Sequence, residues 1–266
     1  MQGSHAIVVR NLPPSRTKVN SLILLPEECI SQSRAELVGS RALYAYETHE
    51  ARAGESVRIG ILGGAKGEAL IESATRDRVV LETRFFEEAS PPLPIDLIIG
   101  VPRPQTVKKV IQAAVMLGAR SVHFVRSELG EKSYLSSHAL EDESLRDETV
   151  KALEQVWETI SPEIKVHRTF SYFLKNHYPS IATYSGQALS MVAHPQGHEL
   201  VVADAPRVRA APLILAIGPE RGWSDDEVSA FRSCGFEVVG LGSRVVRVET
   251  ALVLLMGQIN LLRKTP

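Results

Sequence analysis

Between Ile95 and Arg263 one pattern recurs: an apolar run of strand length, then a longer segment with apolar residues at helical spacing. The runs read "IDLIIGV", "SVHFVR", "EIKVHRTF", "QALSMVAH", "PLILAIG" and "FEVVGL". From Thr106 to Leu117 the apolar positions are Val107, Val110, Ile111, Ala114 and Leu117, one face of a helix. Residues 141–160 predict an acidic-faced helix, and further helices follow from Ser224 and from Glu249 to Arg263. Strands alternating with helices predict an α/β fold with a parallel, doubly wound sheet. In such sheets ligands gather at the carboxyl ends of the strands.

The chain before this region has a different character. Residues 5–86 carry short β-rich runs, "HAIVVR", "SVRIGIL", "EALIES" and "RVVLETRFF", separated by turn residues. Strands at this spacing predict a small barrel or compact sheet. Pro91, Pro92 and Pro94 predict a stiff linker after it. The glycine-rich "GGAKGEA" lacks the spacing and the hydroxyl residue of a phosphate-binding P-loop, and reads as a hairpin loop with Lys66 at its tip.

Composition narrows the partners. The 266 residues are 44% hydrophobic and 23% charged, the balance of an ordinary soluble globular protein of one large domain or two smaller ones. No apolar run approaches the ~18 residues a membrane span needs. The start, "MQGSHAIVVR", lacks the basic-then-apolar pattern of a signal peptide, and its first residues could be a cloning remnant. Cys29 and Cys234 stand far apart and outside C-x-x-C spacing, so thiols in a reducing cytoplasm are expected and a metal site is not. With a formal net charge of −1, any nucleic-acid contact has to come from a local basic patch.

Two strand ends hold the residues of interest. "PLILAIG" runs into Gly218-Pro219-Glu220-Arg221-Gly222, where the glycines let backbone approach a ligand and Pro219 stiffens the loop. Ser224 with Glu227 forms a capping box that starts the next helix. By itself this stretch reads equally as a ligand cradle or a tight strand-to-helix turn. The arrangement repeats in "GFEVVGLGSRVVRVETALVLLMGQINLL": an apolar run ends at Gly242, and Arg244 and Arg247 precede Glu249 and an apolar helix. Two such loops within a few dozen residues predict two walls of one pocket. The plainer reading of Arg247 and Glu249 is a surface ion pair at a helix start.

Together, "AIGPERGWSDDEV" and "VVGLGSRVVRVETA" resemble the signature G-P-E-G-G … L-G-x-R-[IVL]-L-R-x-E-T-A of the 16S rRNA (uracil-N3)-methyltransferase family, a branch of the SPOUT superfamily. The resemblance implies a PUA-like β-barrel domain over residues 1–88, a linker at 89–94, and a SPOUT methyltransferase domain over 95–266 that ends in a deep trefoil knot. The chain departs from the pattern in three places. Arg221 replaces the second glycine of G-P-E-G-G. "RPQTVKKVIQAAVMLGA" replaces K-x-D-[RK]-x-[ED], and "LEQVWETISPEIKVH" keeps Glu154 and Gln155 of E-Q-[SC]-x-R without the arginine.

What the resemblance implies chemically is methyl transfer from S-adenosylmethionine to N3 of a uridine, uridine 1498, in 16S rRNA of the small ribosomal subunit. The implied cofactor positions are Ile217, Gly218, Glu220, Gly222, Leu241, Gly242, Val246 and Arg247, with "VAHP" around His194 as a third wall. N3 must lose a proton, so Arg247 is expected to stabilise the uracil anion and Glu249 or Glu220 to take the proton, ahead of His138 and His194. The N-terminal domain is expected to bind RNA through Arg52, Arg58, Lys66 and Arg84. A homodimer is implied through the knot region, consistent with a final helix, "ALVLLMGQINLL", that is apolar nearly all round. Competing readings are a SPOUT enzyme acting on another RNA position, such as a ribose 2′-hydroxyl, and a non-catalytic RNA-binding assembly factor whose cofactor loop Arg221 has spoiled. A small-molecule methyltransferase would leave the β-rich N-terminal domain without a purpose.

Overall fold

The computed structural model describes residues 21–186, 188–209 and 211–264, so the run "HAIVVR" lies outside the described residues. The chain divides into two compact units, one of Met1–Ser90 with Leu153–Ile160, the other of Pro91–Ala152 with Ser161–Pro266.

The first unit is built on a six-stranded sheet. Its strands are β1 (Leu22–Leu24), β2 (Cys29–Ser31), β3 (Arg34–Val38), β4 (Ser56–Ile61), β5 (Lys66–Ala74) and β6 (Arg78–Glu87), in the order β1-β4-β5-β6-β3-β2. All neighbours are antiparallel except β1 and β4. Leu22, Leu24, Leu37, Ile59, Ile71 and Leu81 form its core. A helix that the β-rich pattern did not announce, α1 (Gly39–Glu47), buries Ala42 and Ala45 against this sheet's core.

Residues 153–160 complete this unit, although a linear reading assigns them to the following domain. The Glu154 carbonyl accepts hydrogen bonds from Ser21 N–H and Oγ–H, both at 2.9 Å. Its carboxylate takes bonds from Ile23 N–H at 3.3 Å and Tyr44 O–H at 2.8 Å, with His49 Nε2 at 3.3 Å. Trp157 Nε1–H donates to the Ile59 carbonyl at 3.0 Å, and Thr159 O–H to that of Gly64 at 2.6 Å. A buried carboxylate is tolerable only with such a set of donors, and the first unit supplies them.

Lys66 departs from expectation. It opens β5 instead of tipping a loop, and it is 4% exposed. Its ammonium pairs with Glu87 at 2.8 Å and Glu158 at 3.4 Å, over the ring of Trp157. A lysine buried between two carboxylates has no face left for an RNA phosphate.

The second unit is a wholly parallel sheet. In chain order its elements are β7 (Ile95–Gly100), α2 (Pro104–Met116), β8 (Ser121–Val125), α3 (Asp142–Val156, whose last turn belongs to the first unit), β9 (Glu163–His167), α4 (Phe170–Asn176), α5 (Tyr178–Ser185), β10 (Leu189–Glu199), α6 (Ala205–Val208), β11 (Leu213–Ile217), α7 (Asp225–Ser233), β12 (Glu237–Gly240) and α8 (Val248–Lys264). The sheet order is β12-β10-β11-β7-β8-β9. Every residue of β7, β8 and β11 is buried, as continuous apolar runs in a sheet covered on both faces require.

β10 shifts register against β12 between Ala193 and His198, and there a Cβ on Gly240 would lie 2.6 Å from the Gly197 carbonyl oxygen. Inside β7–β9, polar groups chain across adjacent strands: Arg120 holds Asp96, Ser121 O–H donates to Asp96 at 2.6 Å, and His123 and His167 share a ring-nitrogen hydrogen bond of 3.0 Å. Burial pushes both imidazoles down to about 4.

Candidate functional site

The carboxyl ends of β11 and β12 and the register shift of β10 come together around a cleft of about 270 Å³. One wall is Ala193–Pro195 of β10, a second the loop from Ile217 to Trp223, and a third the segment from Val239 through Val246. Val248 and Ala251 of α8 close it.

The sequence builds these walls from backbone. A Cβ on Gly218 would sit 2.8 Å from the backbone of Gly222 and Trp223, and Gly222 itself adopts φ +75°. The loop folds back on itself only because both positions are glycine. Below it, a Cβ on Gly100 would collide with Pro219. Ser224 then caps α7: its Oγ accepts from Glu227 N–H at 3.3 Å, while Glu227 accepts from Ser224 N–H at 2.9 Å. With side chains thus removed from the turn, peptide groups and the apolar flanks of Ile217, Leu241 and Val246 face the space. That composition suits a flat heteroaromatic group read by main-chain donors and acceptors.

Eight of the nine residues expected to bind a cofactor line this one cleft: Ile217, Gly218, Glu220, Gly222, Leu241, Gly242, Val246 and His194. Arg247 does not. It stands at the N-terminus of α8, where its carbonyl accepts the Ala251 N–H at 2.8 Å, and its side chain is exposed with no ion pair among the described residues. Arg221 and Arg244 are exposed on the rim. Trp223, not singled out from sequence, also lines the cleft, and its buried Nε1–H has no partner among the described residues. Its place directly after the second loop glycine was the available signal.

The two expected carboxylates are occupied in different ways. Glu220 accepts from Arg103 N–H at 3.1 Å and Thr106 O–H at 3.1 Å, which caps α2 and fixes the carboxylate beside the cleft. Glu249 does not pair with Arg247 in a contact pair. It binds Lys109 Nζ at 2.9 Å and so ties the first turn of α8 to α2. Partial burial would raise its pKa, but the Lys109 hydrogen bond and charge, with Arg247 nearby, hold it below the usual range. A carboxylate held so is a weak base, and Glu249 does not line the cleft.

His194 Nδ1 accepts the Gln196 N–H at 3.3 Å, so the neutral ring carries its proton on Nε2 and offers a donor. His138 lies elsewhere, beside Ser144 and Glu141. In the first unit, the Arg52 guanidinium covers the Tyr46 ring at 4.4 Å and donates to two carbonyls. Arg58 covers the Trp157 ring at 4.8 Å, and Arg84 is exposed.

Residues 89–260 match the RNA methyltransferase domain family. The chain is 33% identical over 201 residues to the ribosomal RNA small subunit methyltransferase E of Treponema pallidum, covering 75% of this chain and 74% of that one. It is 26% identical over 241 residues to the Synechocystis protein of the same name, covering 91% and 77%. Among solved structures, the ribosomal RNA small subunit methyltransferase E of Neisseria gonorrhoeae bound to S-adenosyl methionine superposes with a TM-score of 0.70 at 18% identity, covering 91% of this chain and 98% of that one.

Proposed function

Because the chain belongs to the ribosomal RNA small subunit methyltransferase E family, we propose that it methylates N3 of a uridine in 16S rRNA, the equivalent of uridine 1498, with S-adenosylmethionine as donor. The observation that carries this reading is the backbone-walled cleft at the ends of β11 and β12 and the register shift of β10, where eight expected cofactor residues meet. Its peptide groups and apolar flanks fit the adenosine moiety, and the orphaned Trp223 Nε1–H offers a donor. When bound, S-adenosylmethionine supplies an electrophilic sulfonium methyl group.

The chain's own task is to turn uracil into a nucleophile. N3 carries a proton between two carbonyl groups, and its loss places negative charge on both oxygens. Arg247, exposed beside the cleft and unpaired among the described residues, stabilises that anion together with the positive end of α8. Glu220 takes the proton: it lines the cleft, and the α2 donors hold it in position. Glu249 is a positioning residue that, through Lys109, sets α8 against α2.

The remaining parts follow the same reading. The first unit is a PUA-like RNA-binding barrel, with Arg84, Arg52 and Arg58 as its cationic contacts. The interleaved order of β10, β11 and β12 supports a trefoil knot. Val253, Leu254 and Leu261 of α8 stay 50%, 45% and 68% exposed, which supports a homodimer through this helix. The substrate is rRNA of the small ribosomal subunit, in the cytoplasm.

Calorimetry with S-adenosylmethionine and mass spectrometry of nucleosides from treated 16S rRNA test the proposal. N3-methyluridine is the expected product. Methyl on a ribose oxygen or another base would replace the target, and absence of cofactor binding would leave an RNA-binding assembly factor. Glu220→Gln keeps an acceptor for Thr106 yet should lower the single-turnover rate ~10²-fold or more at unchanged cofactor affinity.

A further inference from the structure

A second and larger cleft, about 620 Å³, opens at the carboxyl ends of β8 and β9, bounded by α4 and α7. Nothing in the proposed chemistry uses it. Two polar atoms of its lining residues, Ser127 Oγ and Arg126 Nε, are buried without a hydrogen-bond partner among the described residues. Ser127 is 1% exposed. A buried donor left unanswered is unfavourable, so two on neighbouring residues that line one cleft point to a ligand that answers them.

The surroundings define the ligand. Phe170, Leu174 and Ala230 give an apolar surface, and Phe170 is half-buried. Glu128 and Asp226 bring exposed acceptors. Glu227 is already committed, its carboxylate accepting Glu128 N–H at 2.8 Å and Ser224 N–H at 2.9 Å. Carboxylates beside the opening disfavour a phosphate inside it. A nucleobase fits better: it has a flat face for stacking and an edge that carries both donors and acceptors. The Phe170 ring lies 5.7 Å from Trp223, which lines the first cleft, so the two clefts share an aromatic wall.

We infer that the cleft between the β8 and β9 ends and α7 seats an unpaired nucleobase of the substrate RNA, next to the nucleotide that is methylated. Arg126 and Ser127 donate to acceptors on the base edge, Phe170 and Leu174 carry its face, and Lys175, exposed at the rim, meets the backbone of the same nucleotide. The identification of the polymer as RNA rests on the function proposed above; the site itself rests on the orphaned donors.

The test uses the full chain and single-stranded oligonucleotides of 16S rRNA sequence, intact or with one abasic position near the target uridine. Ser171→Trp, at an exposed position of the lining, fills the cleft, and Ser127→Ala removes the buried hydroxyl. We expect RNA affinity to fall ~10-fold or more for Ser171→Trp and several-fold for Ser127→Ala, with S-adenosylmethionine affinity unchanged. Ser127→Ala should also keep or raise the melting temperature, because it deletes an unsatisfied group. One abasic position should weaken binding to the parent and not to Ser171→Trp. Parent-like RNA affinity in both variants, or equal abasic losses in parent and Ser171→Trp, would overturn the inference. A parent that binds RNA through this cleft but transfers no methyl group would remove the enzymatic reading and leave the nucleobase site standing.

Discussion

Two glycine-rich turns, one in each unit, carry a basic residue and end in opposite roles. In the first unit, the turn between β4 and β5 delivers Lys66 into a buried pairing with Glu87 and Glu158. In the second, the loop after β11 leaves Arg221 exposed on the rim of a cleft. The difference comes from the sheets. An antiparallel hairpin turns straight back, and the spare groups of this turn are answered by Leu24 and Thr159 of the same unit, so nothing is left to present. Parallel strands all finish at one end of the sheet, where their last peptide groups collect without ladder partners. A glycine-rich stretch gains binding capacity from the kind of sheet it terminates.

The sharpest way to break this comparison is a pair of glycine substitutions. Gly218→Val would drive a side chain into the Gly222 backbone, and should take S-adenosylmethionine affinity down by ~10³-fold or below calorimetric detection. Gly63→Ala, at φ +77° in open space, should cost only about 1 kcal/mol of stability by denaturant titration and leave cofactor binding intact. Next in size, Arg247→Ala should lower single-turnover methyl transfer ~10²–10³-fold while cofactor affinity persists, and Arg247→Lys should recover little, since an ammonium lacks paired planar donors. A parent-like rate would reduce Arg247 to a helix-start residue.

Proton linkage separates the units further. His123 and His167 titrate near 4 in the fold and near 6.5 when unfolded, so the unfolded chain binds more protons between those values. Stability of the second unit is therefore full above about pH 6.5 and should fall as pH drops toward 4. Urea midpoints read by hydrogen exchange in β8 and β9 would follow it, and His123→Phe should flatten the slope. For Lys66 no effect on RNA binding is expected: Lys66→Met should leave RNA affinity at the parent value and destabilise the first unit by about 1–3 kcal/mol. Weaker RNA binding at unchanged stability would restore Lys66 as a contact.

Much of the second unit was legible because its signals are local. The Ser224–Glu227 capping box and the apolar strands ending at Gly218 and Gly242 appear in the structure where the pattern put them. What escaped reading depends on distance along the chain. Helices α4 and α5 are short and separated at His177, with Pro179 in the first turn of α5, so no helical period accumulates. The second duty of Glu227, accepting the Glu128 N–H, joins residues 99 positions apart. His123 and His167 meet because β8 and β9 pair in register, which neither residue's neighbours announce. Glu154 and Gln155 drew attention as parts of a catalytic-domain motif, whereas Glu154 spends its hydrogen bonds inside the first unit.

That last arrangement has a consequence for how the protein is made. The first unit cannot finish its interior until residues 153–160 have been synthesised, because Glu154, Trp157 and Thr159 fill hydrogen-bonding positions that β1, β4 and the β4–β5 turn leave open. Translation at ~5–20 residues per second delivers the sheet strands well before the segment that completes them. The nascent sheet must therefore wait at the ribosome with Ser21 and the Ile59 carbonyl unanswered while the start of the second unit is still emerging. Folding of the two units is interlaced in time, and a stop codon placed at their apparent boundary would release a chain that lacks part of its own core.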